Sequence, residues 1–240
     1  MNLYDQPDFF TAYAQMSRSR DGLPGAGEWR QLQALFPDMQ GQRVLDLGCG
    51  YGWHCRYAAD RGAAAVTGID ASRRMIAEAE KRNAGANITY HVCDLADYEY
   101  PPDAFDLVVS NLVLHYVADI DAVYRNIHRT LAPGGVFLMN IEHPTFTAGV
   151  HQQFSPDGVW PVDGYFFPGE RQTEFLGHTV RKQHHTLTQI LMGLLNTGFS
   201  LEAVEEAMPP AEWRAAMPEE MRRPMMLLVR ARKHSTAKHG

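Results

Sequence analysis

The chain has 240 residues, of which 45% are hydrophobic and 21% charged, and its formal net charge is -6. This composition indicates a globular protein rather than a disordered one, and the length suits one α/β domain with a sizeable core. The negative charge and the lack of a Lys/Arg stripe disfavour nucleic acid as a partner, and no stretch approaches the roughly 20 apolar residues of a membrane span.

The three cysteines, Cys49, Cys55 and Cys93, are odd in number and form no CxxC spacing. This usage is typical of reduced thiols rather than of a disulfide framework. The first 20 residues also lack the basic start, apolar core and cleavage site of a secretory signal. We therefore expect a cytoplasmic protein that does not enter a membrane.

The predicted elements begin with a helix over residues 28–36, where apolar side chains recur on one helical face. Five short apolar runs follow and alternate with helical patterns: RVLDLG, AAVTGID, NITYHVCD, FDLVVS and VFLMNIE. This alternation predicts an α/β fold of the Rossmann-like, doubly wound type, with a mostly parallel sheet and helices on both faces. Ligands of such sheets bind at the carboxyl ends of the strands, so function is expected there.

Residues 144–185 show no periodicity and collect Gly, Pro, His and aromatic residues. This pattern predicts an irregular insertion after the fifth strand. A helix is predicted from Thr186, because Thr186 and Gln189 have the spacing of a capping box and Gly198 can end the helix. SLEAVEEA and MMLLVRARK are then two closing strands, which makes seven strands in the sheet.

The turn after the first strand, in VLDLGCGYGWHC, raises the question of which cofactor it holds. Gly48 and Gly50 begin a dinucleotide fingerprint, and Asp70 follows about 20 residues later, but the third glycine of that pattern falls on Trp53. A phosphate-binding loop is excluded as well, because no G-K-[ST] follows.

Five segments resemble, in order and spacing, the motifs of the class I S-adenosylmethionine-dependent methyltransferases, especially their small-molecule branch. They are VLDLGCGYG, GID, CDL, FDLVVSNLVLHYV and LAPGGVFLMNIEHP, which together cover roughly residues 45–144. The resemblance implies S-adenosylmethionine as the cofactor and in-line methyl transfer to a small organic acceptor. It also implies one methyltransferase domain over residues 1–240, with residues 1–40 covering the cofactor and residues 144–186 forming an acceptor-side insertion or lid.

By this resemblance, Asp46 lies beside the methionine moiety, Asp70 accepts both ribose hydroxyls, and Asp94 with the Leu95 backbone addresses the adenine. The other cofactor-binding residues that it implies are Gly48, Cys49, Gly50, Asn111 and Arg18, the last pairing with the methionine carboxylate. Other interpretations stay open for five of them, since Cys49 also suits a small spacer in the turn and Asn111 the end of a strand. Asp70 is suited to cap a helix, Asp94 to stabilise a turn, and Arg18 to stand in solvent.

Alignment of acceptor, methyl and sulfur supplies much of the acceleration in such a transfer. An acceptor that must lose a proton also needs a general base with a pKa near 7, for which histidine is the natural choice. His143, directly after the fifth strand, and His185, before the capping box, are the predicted catalytic residues. Each also has a structural interpretation. His143 could be a loop histidine bonded to the backbone, and His185 could simply precede the helix cap at Thr186.

Three other functions are weighed against this one. No metal is expected, because the histidines form no HExxH or HxxxH core. Nucleic-acid methylation is disfavoured, because Ser110-Asn111-Leu112-Val113 replaces the [DNS]-P-P-[YFW] motif after the fourth strand and the chain has no Pro-Cys. A non-catalytic protein that binds S-adenosylmethionine remains an alternative, which would not obviously need the insertion.

Overall fold

The computed structural model describes residues 2–235, in which strands and helices alternate. The strands are β1 (Arg43–Leu47), β2 (Ala65–Asp70), β3 (Ile88–Val92), β4 (Phe105–Asn111), β5 (Leu131–Glu142), β6 (Gly169–Phe175), β7 (His178–His184), β8 (Phe199–Glu206) and β9 (Met226–Lys233). The helices are α1 (Pro7–Ala14), α2 (Ser17–Arg20), α3 (Trp29–Leu35), α4 (Trp53–Asp60), α5 (Arg73–Arg82), α6 (Ile120–Thr130), α7 (Pro144–Thr147) and α8 (Leu187–Thr197).

Seven of these strands form one sheet in the order β3-β2-β1-β4-β5-β9-β8. Neighbours are parallel except at β9, which runs antiparallel to both β5 and β8. The predicted Rossmann-like, doubly wound fold is confirmed. Strand order reverses between β1 and β4, and at such a reversal a crevice for ligands opens outside the carboxyl ends of the strands.

Two hydrophobic clusters cover the two faces of the sheet. On β1, Leu45 and Leu47 belong to one cluster and Val44 to the other. The first cluster also takes up Ile120, Val123 and Ile127 of α6, so the predicted apolar face of that helix packs on the sheet. A strand buried on both faces has a nearly continuous apolar sequence, which is why these runs are easy to recognise.

The capping box predicted before α8 is present. The Thr186 hydroxyl accepts a hydrogen bond from the Gln189 backbone N–H at 3.1 Å, and the Gln189 side chain accepts one from the Thr186 N–H at 3.0 Å. Gly198 ends the helix in the left-handed conformation, with φ of 100°. Within residues 2–235, no helix has the length and the apolar character needed to cross a bilayer.

The insertion after β5 is more regular than predicted. It contains the short helix α7 and an antiparallel hairpin of β6 and β7, which form a separate two-stranded sheet. The hairpin strands, GERQTEF and HTVRKQH, bury only a few side chains, among them Thr173, Val180 and Lys182. Because their polar residues do not alternate with apolar ones, the period-2 signal of a strand is missing from the sequence.

Candidate active site

A cavity of about 790 Å³ lies at the carboxyl ends of the parallel strands, where the strand order reverses. This volume is typical of a site for a small ligand. The residues that line it come from three parts of the chain. The sheet contributes Gly48, Cys49, Gly50, Asp70, Asp94, Asn111 and Glu142, the first 40 residues contribute Tyr4, Tyr13, Arg18 and Glu28, and the insertion contributes Phe146, Gln152, Phe175 and Lys182.

The glycine turn after β1 forms one wall of the cavity. Gly48 has φ of 70°, and a Cβ atom there would collide with the side chain of Val113. Glycine is therefore the residue that fits, both for its backbone conformation and for the space available. The next glycine, Gly50, donates its backbone N–H to Asp70 Oδ2 at 3.0 Å, which ties the turn to the end of β2.

Asp70 faces the cavity and is not the cap of the helix that follows. Its Oδ1 accepts the Ser72 N–H at 2.8 Å, while the N-cap of α5 is Ser72, whose hydroxyl accepts the Met75 N–H at 3.2 Å. Burial raises the pKa of Asp70 to about 6, against the opposing effect of the Ser72 and Gly50 backbone donors. The side chain is thus poised to ionise near neutral pH, at the strand end where a ribose is expected.

Arg18 also lines the cavity, but it already has an anionic partner. Its two terminal nitrogens donate to the two carboxylate oxygens of Glu28 at 3.0 and 3.2 Å, and Glu28 is buried. Asn111, another predicted cofactor-binding residue, also has a partner, because Asn140 Nδ2 donates to Asn111 Oδ1 at 2.9 Å. Pairing of Arg18 with the methionine carboxylate therefore stays a prediction, in which the guanidinium would be shared with Glu28.

The structure places Asp46 beneath the glycine turn rather than in the cavity. The residue is 1% exposed, its Oδ2 accepts from Cys55 Sγ at 3.3 Å, and its Oδ1 has no partner within residues 2–235. Burial raises the pKa of Asp46 to about 7. Side chains alternate along β1, and the side chain of Asp46 points to the face of the sheet that α4 covers.

The two residues predicted at the adenine end differ from each other in exposure. Asp94 is exposed, lines the cavity and also accepts the Ala96 N–H at 2.9 Å, so the structure shows the turn interaction that was the alternative. Leu95 directs its side chain into the hydrophobic core. Any contribution of Leu95 to the cofactor would therefore come from its backbone, as predicted.

His143 does not meet the expectation that its ring opens into the cavity. Its Nδ1 accepts the Thr145 N–H at 3.0 Å, which makes His143 the N-cap of α7, and its Nε2 lies 3.1 Å from Glu206 Oε1. Because α7 begins at Pro144, the His143 ring points toward the backbone at the start of this helix. The geometry therefore gives His143 a structural role, which was the alternative interpretation.

His185 is likewise outside the lining of the cavity. Its Nε2 lies 2.8 Å from the carbonyl oxygen of Val117, and the residue is buried. The neighbouring His184 is occupied on both ring nitrogens, by the Thr147 hydroxyl at 2.7 Å and by the Tyr165 carbonyl at 2.8 Å. The contact of His185 with Val117 ties the insertion to the segment after β4, whereas those of His184 lie within the insertion and leave no ring nitrogen of His184 for an acceptor.

Two other histidines, His54 and His115, do line the cavity, and His115 lies beside Glu142, in the 3₁₀ turn Leu114–Tyr116 after β4. Its Nε2 lies 3.9 Å from Glu142 Oε1, and its buried Nδ1 has no hydrogen-bond partner in the described part of the chain. Burial lowers the pKa of His115 to about 4. The sequence patterns did not single out His115, because it lies within the apolar segment FDLVVSNLVLHYV.

Comparison with known proteins agrees with the geometry of the site. Residues 45–139 match a family model described as a methyltransferase domain. The crystal structure of an S-adenosylmethionine-dependent methyltransferase from Mesorhizobium loti is 42% identical, with a TM-score of 0.83 over 88% of this chain and 100% of its own. The chain belongs to the class I S-adenosylmethionine-dependent methyltransferases. It is an enzyme of that family, and its cofactor is S-adenosylmethionine.

Two curated relatives match only part of the methyltransferase. Phosphoethanolamine N-methyltransferase 1 of Arabidopsis thaliana is 34% identical over 51% of this chain and 25% of its own length. Malonyl-[acyl-carrier protein] O-methyltransferase of Enterobacter lignolyticus is 37% identical over 44% of this chain and 41% of its own length. The chain thus spans less than half of either relative, and the two names differ in both acceptor and reacting atom.

The residues present fit S-adenosylmethionine. Two residues that line the cavity, Trp53 and Ser19, carry buried donors, Nε1 and Oγ, without a hydrogen-bond partner among residues 2–235. Buried polar groups of this kind normally pair with a ligand or a water molecule. With the carboxylate of Asp70 and the open turn at Gly48, they suit a ligand that joins an amino acid to a ribose. The cofactor supplies an electrophilic methyl group when it is bound.

Replacing Asp70 with asparagine is expected to weaken S-adenosylhomocysteine binding by about 1–3 kcal/mol at pH 8, because the ribose hydroxyls lose a charged acceptor. The ionised carboxylate is the binding form and its pKa is about 6, so wild-type affinity should fall as the pH drops below 6. The variant should show no such dependence. Calorimetric titration from pH 5 to 8 measures this, with the exposed Asp60→Asn as control; a pH-independent wild type would contradict it.

Proposed function

We propose that this enzyme transfers the methyl group of S-adenosylmethionine to a small organic acceptor. The observation that carries the proposal is that one continuous cavity of about 790 Å³ joins the predicted cofactor residues around Asp70 to a chamber lined by Phe146, Phe175 and Lys182. Its volume suits a small ligand, and the net charge of -6 does not favour a nucleic acid.

We propose His115, rather than His143 or His185, as the general base of this transfer. His115 lines the cavity beside Glu142, the partner of Lys182 in this chamber, and its lowered pKa keeps the ring neutral at pH 7. The oxygen, sulfur or nitrogen of an acceptor O–H, S–H or N–H group would bond to the methyl carbon as the bond from carbon to sulfur breaks, and the proton of that group would pass to the imidazole of His115. The products are the methylated acceptor and S-adenosylhomocysteine.

The charges of the cavity favour an acceptor without a phosphate group. Each of the three Lys or Arg side chains among its described lining residues lies within 4 Å of a carboxylate. The pairs are Arg18–Glu28 at 3.0 Å, Lys182–Glu142 at 2.6 Å and Arg181–Glu170 at 3.8 Å. A phosphate buried here would have to compete with carboxylates for these cations. We therefore propose that the acceptor differs in this respect from phosphoethanolamine.

The parts of the chain around the cavity support the proposed cover and lid. Asp5 Oδ1 accepts hydrogen bonds from Ser72 Oγ at 2.7 Å and from the Arg74 N–H at 3.1 Å, which docks the first residues beside Asp70. On the other side, the hairpin carries Lys182 into the chamber. We propose that residues 1–40 cover the cofactor and residues 144–186 the acceptor, within one domain.

The expected location in the cytoplasm is supported by the cysteines. Cys49, Cys55 and Cys93 are all free thiols, and two of them are buried. A reducing compartment maintains thiols in this state.

Incubation with S-adenosylmethionine and a panel of acceptors, with S-adenosylhomocysteine as the readout, tests the proposed function. The panel contains matched pairs, such as ethanolamine with phosphoethanolamine and phenol with phenyl phosphate. We expect turnover of at least one small acceptor, and a preference of about tenfold or more for the member without phosphate. Tight cofactor binding without turnover of any acceptor would favour the non-catalytic alternative, and preference for the phosphorylated members would contradict the proposed acceptor chemistry.

A further inference from the structure

The connection between β8 and β9, residues 207–225, packs against the N-terminal segment that borders the cavity. The Met208 N–H donates to Gln31 Oε1, on α3, at 2.7 Å. The ring of Trp213 lies against Gly27, where a Cβ atom would be 3.8 Å from the nearest ring carbon. One side of the connection is therefore attached to the segment that we propose as the cover of the cofactor.

The other side of the connection is held to the insertion after β5 by two arginines. Arg222 Nη2 donates to the Gly158 carbonyl oxygen at 2.5 Å. The Arg223 guanidinium lies 4.3 Å from the ring centroid of Trp160 and 4.9 Å from that of Phe146, and these two rings are stacked at 5.2 Å. Because Phe146 also lines the cavity, Arg223 contacts a side chain that forms a wall of the acceptor chamber.

Aromatic rings, rather than hydrogen bonds, hold much of the Arg223 side chain. Its Nε and Nη1 are buried and have no hydrogen-bond partner in the part of the chain that the structure describes. Burial of such donors without acceptors costs stability, and stacking of the planar guanidinium on aromatic faces offsets part of this cost. The contact therefore depends on both the arginine and the two stacked rings, and a side chain without a planar cation would not reproduce it.

The connection has no hydrophobic core of its own. Within residues 207–225 only Pro209 is buried, and the 3₁₀ turn Pro218–Met221 buries none of its residues. A segment with so few buried contacts of its own opens at a low free energy unless its neighbours hold it. The position of the connection is therefore set by the cover and the insertion together.

We propose that residues 207–225 form a strap through which the cofactor cover positions the acceptor chamber. The inference rests on the proposed cover and lid. A cofactor bound under residues 1–40 orders the cover, and the strap then orders the insertion at Phe146. Ordering that passes between two sites in this way makes their ligands bind cooperatively, without any contact between the cofactor and the insertion. The chamber is thus completed around a bound cofactor.

Hydrogen exchange with and without saturating S-adenosylhomocysteine tests the strap, because neither state needs an acceptor. In the wild type we expect S-adenosylhomocysteine to slow exchange in the cover and in residues 144–162. In Arg223→Met the cover should stay protected, whereas the slowing in residues 144–162 should fall by about tenfold or more, because a desolvated cation–π contact is lost. The control is Arg214→Met, since Arg214 is exposed and bonds within the connection, to the Pro209 carbonyl at 3.1 Å.

A second variant tests the other end of the strap and covers the case in which Arg223→Met does not fold. Gln31→Ala removes the acceptor of the Met208 N–H, and it should also reduce the protection of residues 144–162. The control is Gln33→Ala, since Gln33 lies on the same helix but donates to the Tyr57 hydroxyl at 3.4 Å. A merely local role of Gln31 on α3 would not change exchange in the insertion.

Three results would overturn the proposal. They are an insertion that S-adenosylhomocysteine does not protect in the wild type, unchanged protection of residues 144–162 in either variant that folds, and loss of protection in the cover and the insertion together. The last result would mean that the two parts are one unit rather than two parts joined by a strap. The outcome is separate from that of the proposed function. Coupled exchange without turnover of any acceptor would support the strap while the proposed methyl transfer fails, and turnover without coupled exchange would contradict the strap alone.

Discussion

Replacing His115 with glutamine is expected to lower kcat by about 10²-fold or more while the affinity for S-adenosylhomocysteine stays nearly unchanged. Glutamine keeps much of the polar volume of the ring but cannot take up the proton of the acceptor. The loss should therefore concern the transition state rather than cofactor binding. Steady-state kinetics with an acceptor from the panel and calorimetry with S-adenosylhomocysteine measure the two quantities.

Two other histidines serve as matched controls for this substitution. His91 on β3 is exposed, so His91→Gln should change neither quantity. His143→Gln removes the N-cap of α7 and the contact with Glu206, and it should cost about 1 kcal/mol of stability without lowering kcat in the folded enzyme. A kcat that is unaltered in His115→Gln but reduced in His143→Gln would reverse the assignment of the base.

The sequence was sufficient for the fold and for placing the glycine turn and Asp70 at the cavity, because both depend on local patterns. The apolar runs of β1 and β4 indicate buried strands, and the capping box at Thr186 indicates the start of a helix. The glycine turn follows β1 and Asp70 ends β2, and these neighbouring strands both end at the cavity, so the topology alone brings them together. Position along the chain was enough for these residues.

The acceptor side was not predictable in the same way, because it depends on where side chains point. His143 and His115 both follow strand ends, but Pro144 starts a helix that turns His143 into a cap, and no pattern in the sequence specifies this. Glu142 and Lys182 meet only because the hairpin folds back over β5, and its strands carry no apolar alternation. Contacts between distant segments of this kind leave no periodic signal.

Asp46 shows the same limit within a strand that was predicted correctly. A residue two positions before Gly48 is expected near the cofactor, yet alternation along β1 turns its carboxylate under the glycine turn toward Cys55. The sequence shows which residues of β1 share a face, because side chains alternate along a strand. It does not show which of the two faces α4 covers, and that required the structure.

We therefore expect Asp46→Asn to stabilise the cofactor-free protein at alkaline pH. Burial raises the pKa of Asp46 from 3.8 to about 7, so the folded state binds a proton that the unfolded state releases between these values. The stability that protonated Asp46 contributes is fully present below about pH 4 and is lost as the pH rises through 7. At about 1.4 kcal/mol for each pKa unit, the gain in the variant should reach about 4 kcal/mol at most near pH 8.

Thermal and urea unfolding at pH 4, 6 and 8 measure this gain, with the exposed Asp60→Asn as control. The difference between Asp46→Asn and wild type should be small at pH 4 and largest at pH 8, because asparagine offers a neutral group of the same shape that can still bond to Cys55 Sγ. Cofactor affinity should change less than in Asp70→Asn, since Asp46 lies beneath the turn and Asp70 faces the cavity. A variant that is destabilised equally at all three values of pH would contradict the prediction, because it would mean that the folded protein holds the Asp46 carboxylate in its ionised form.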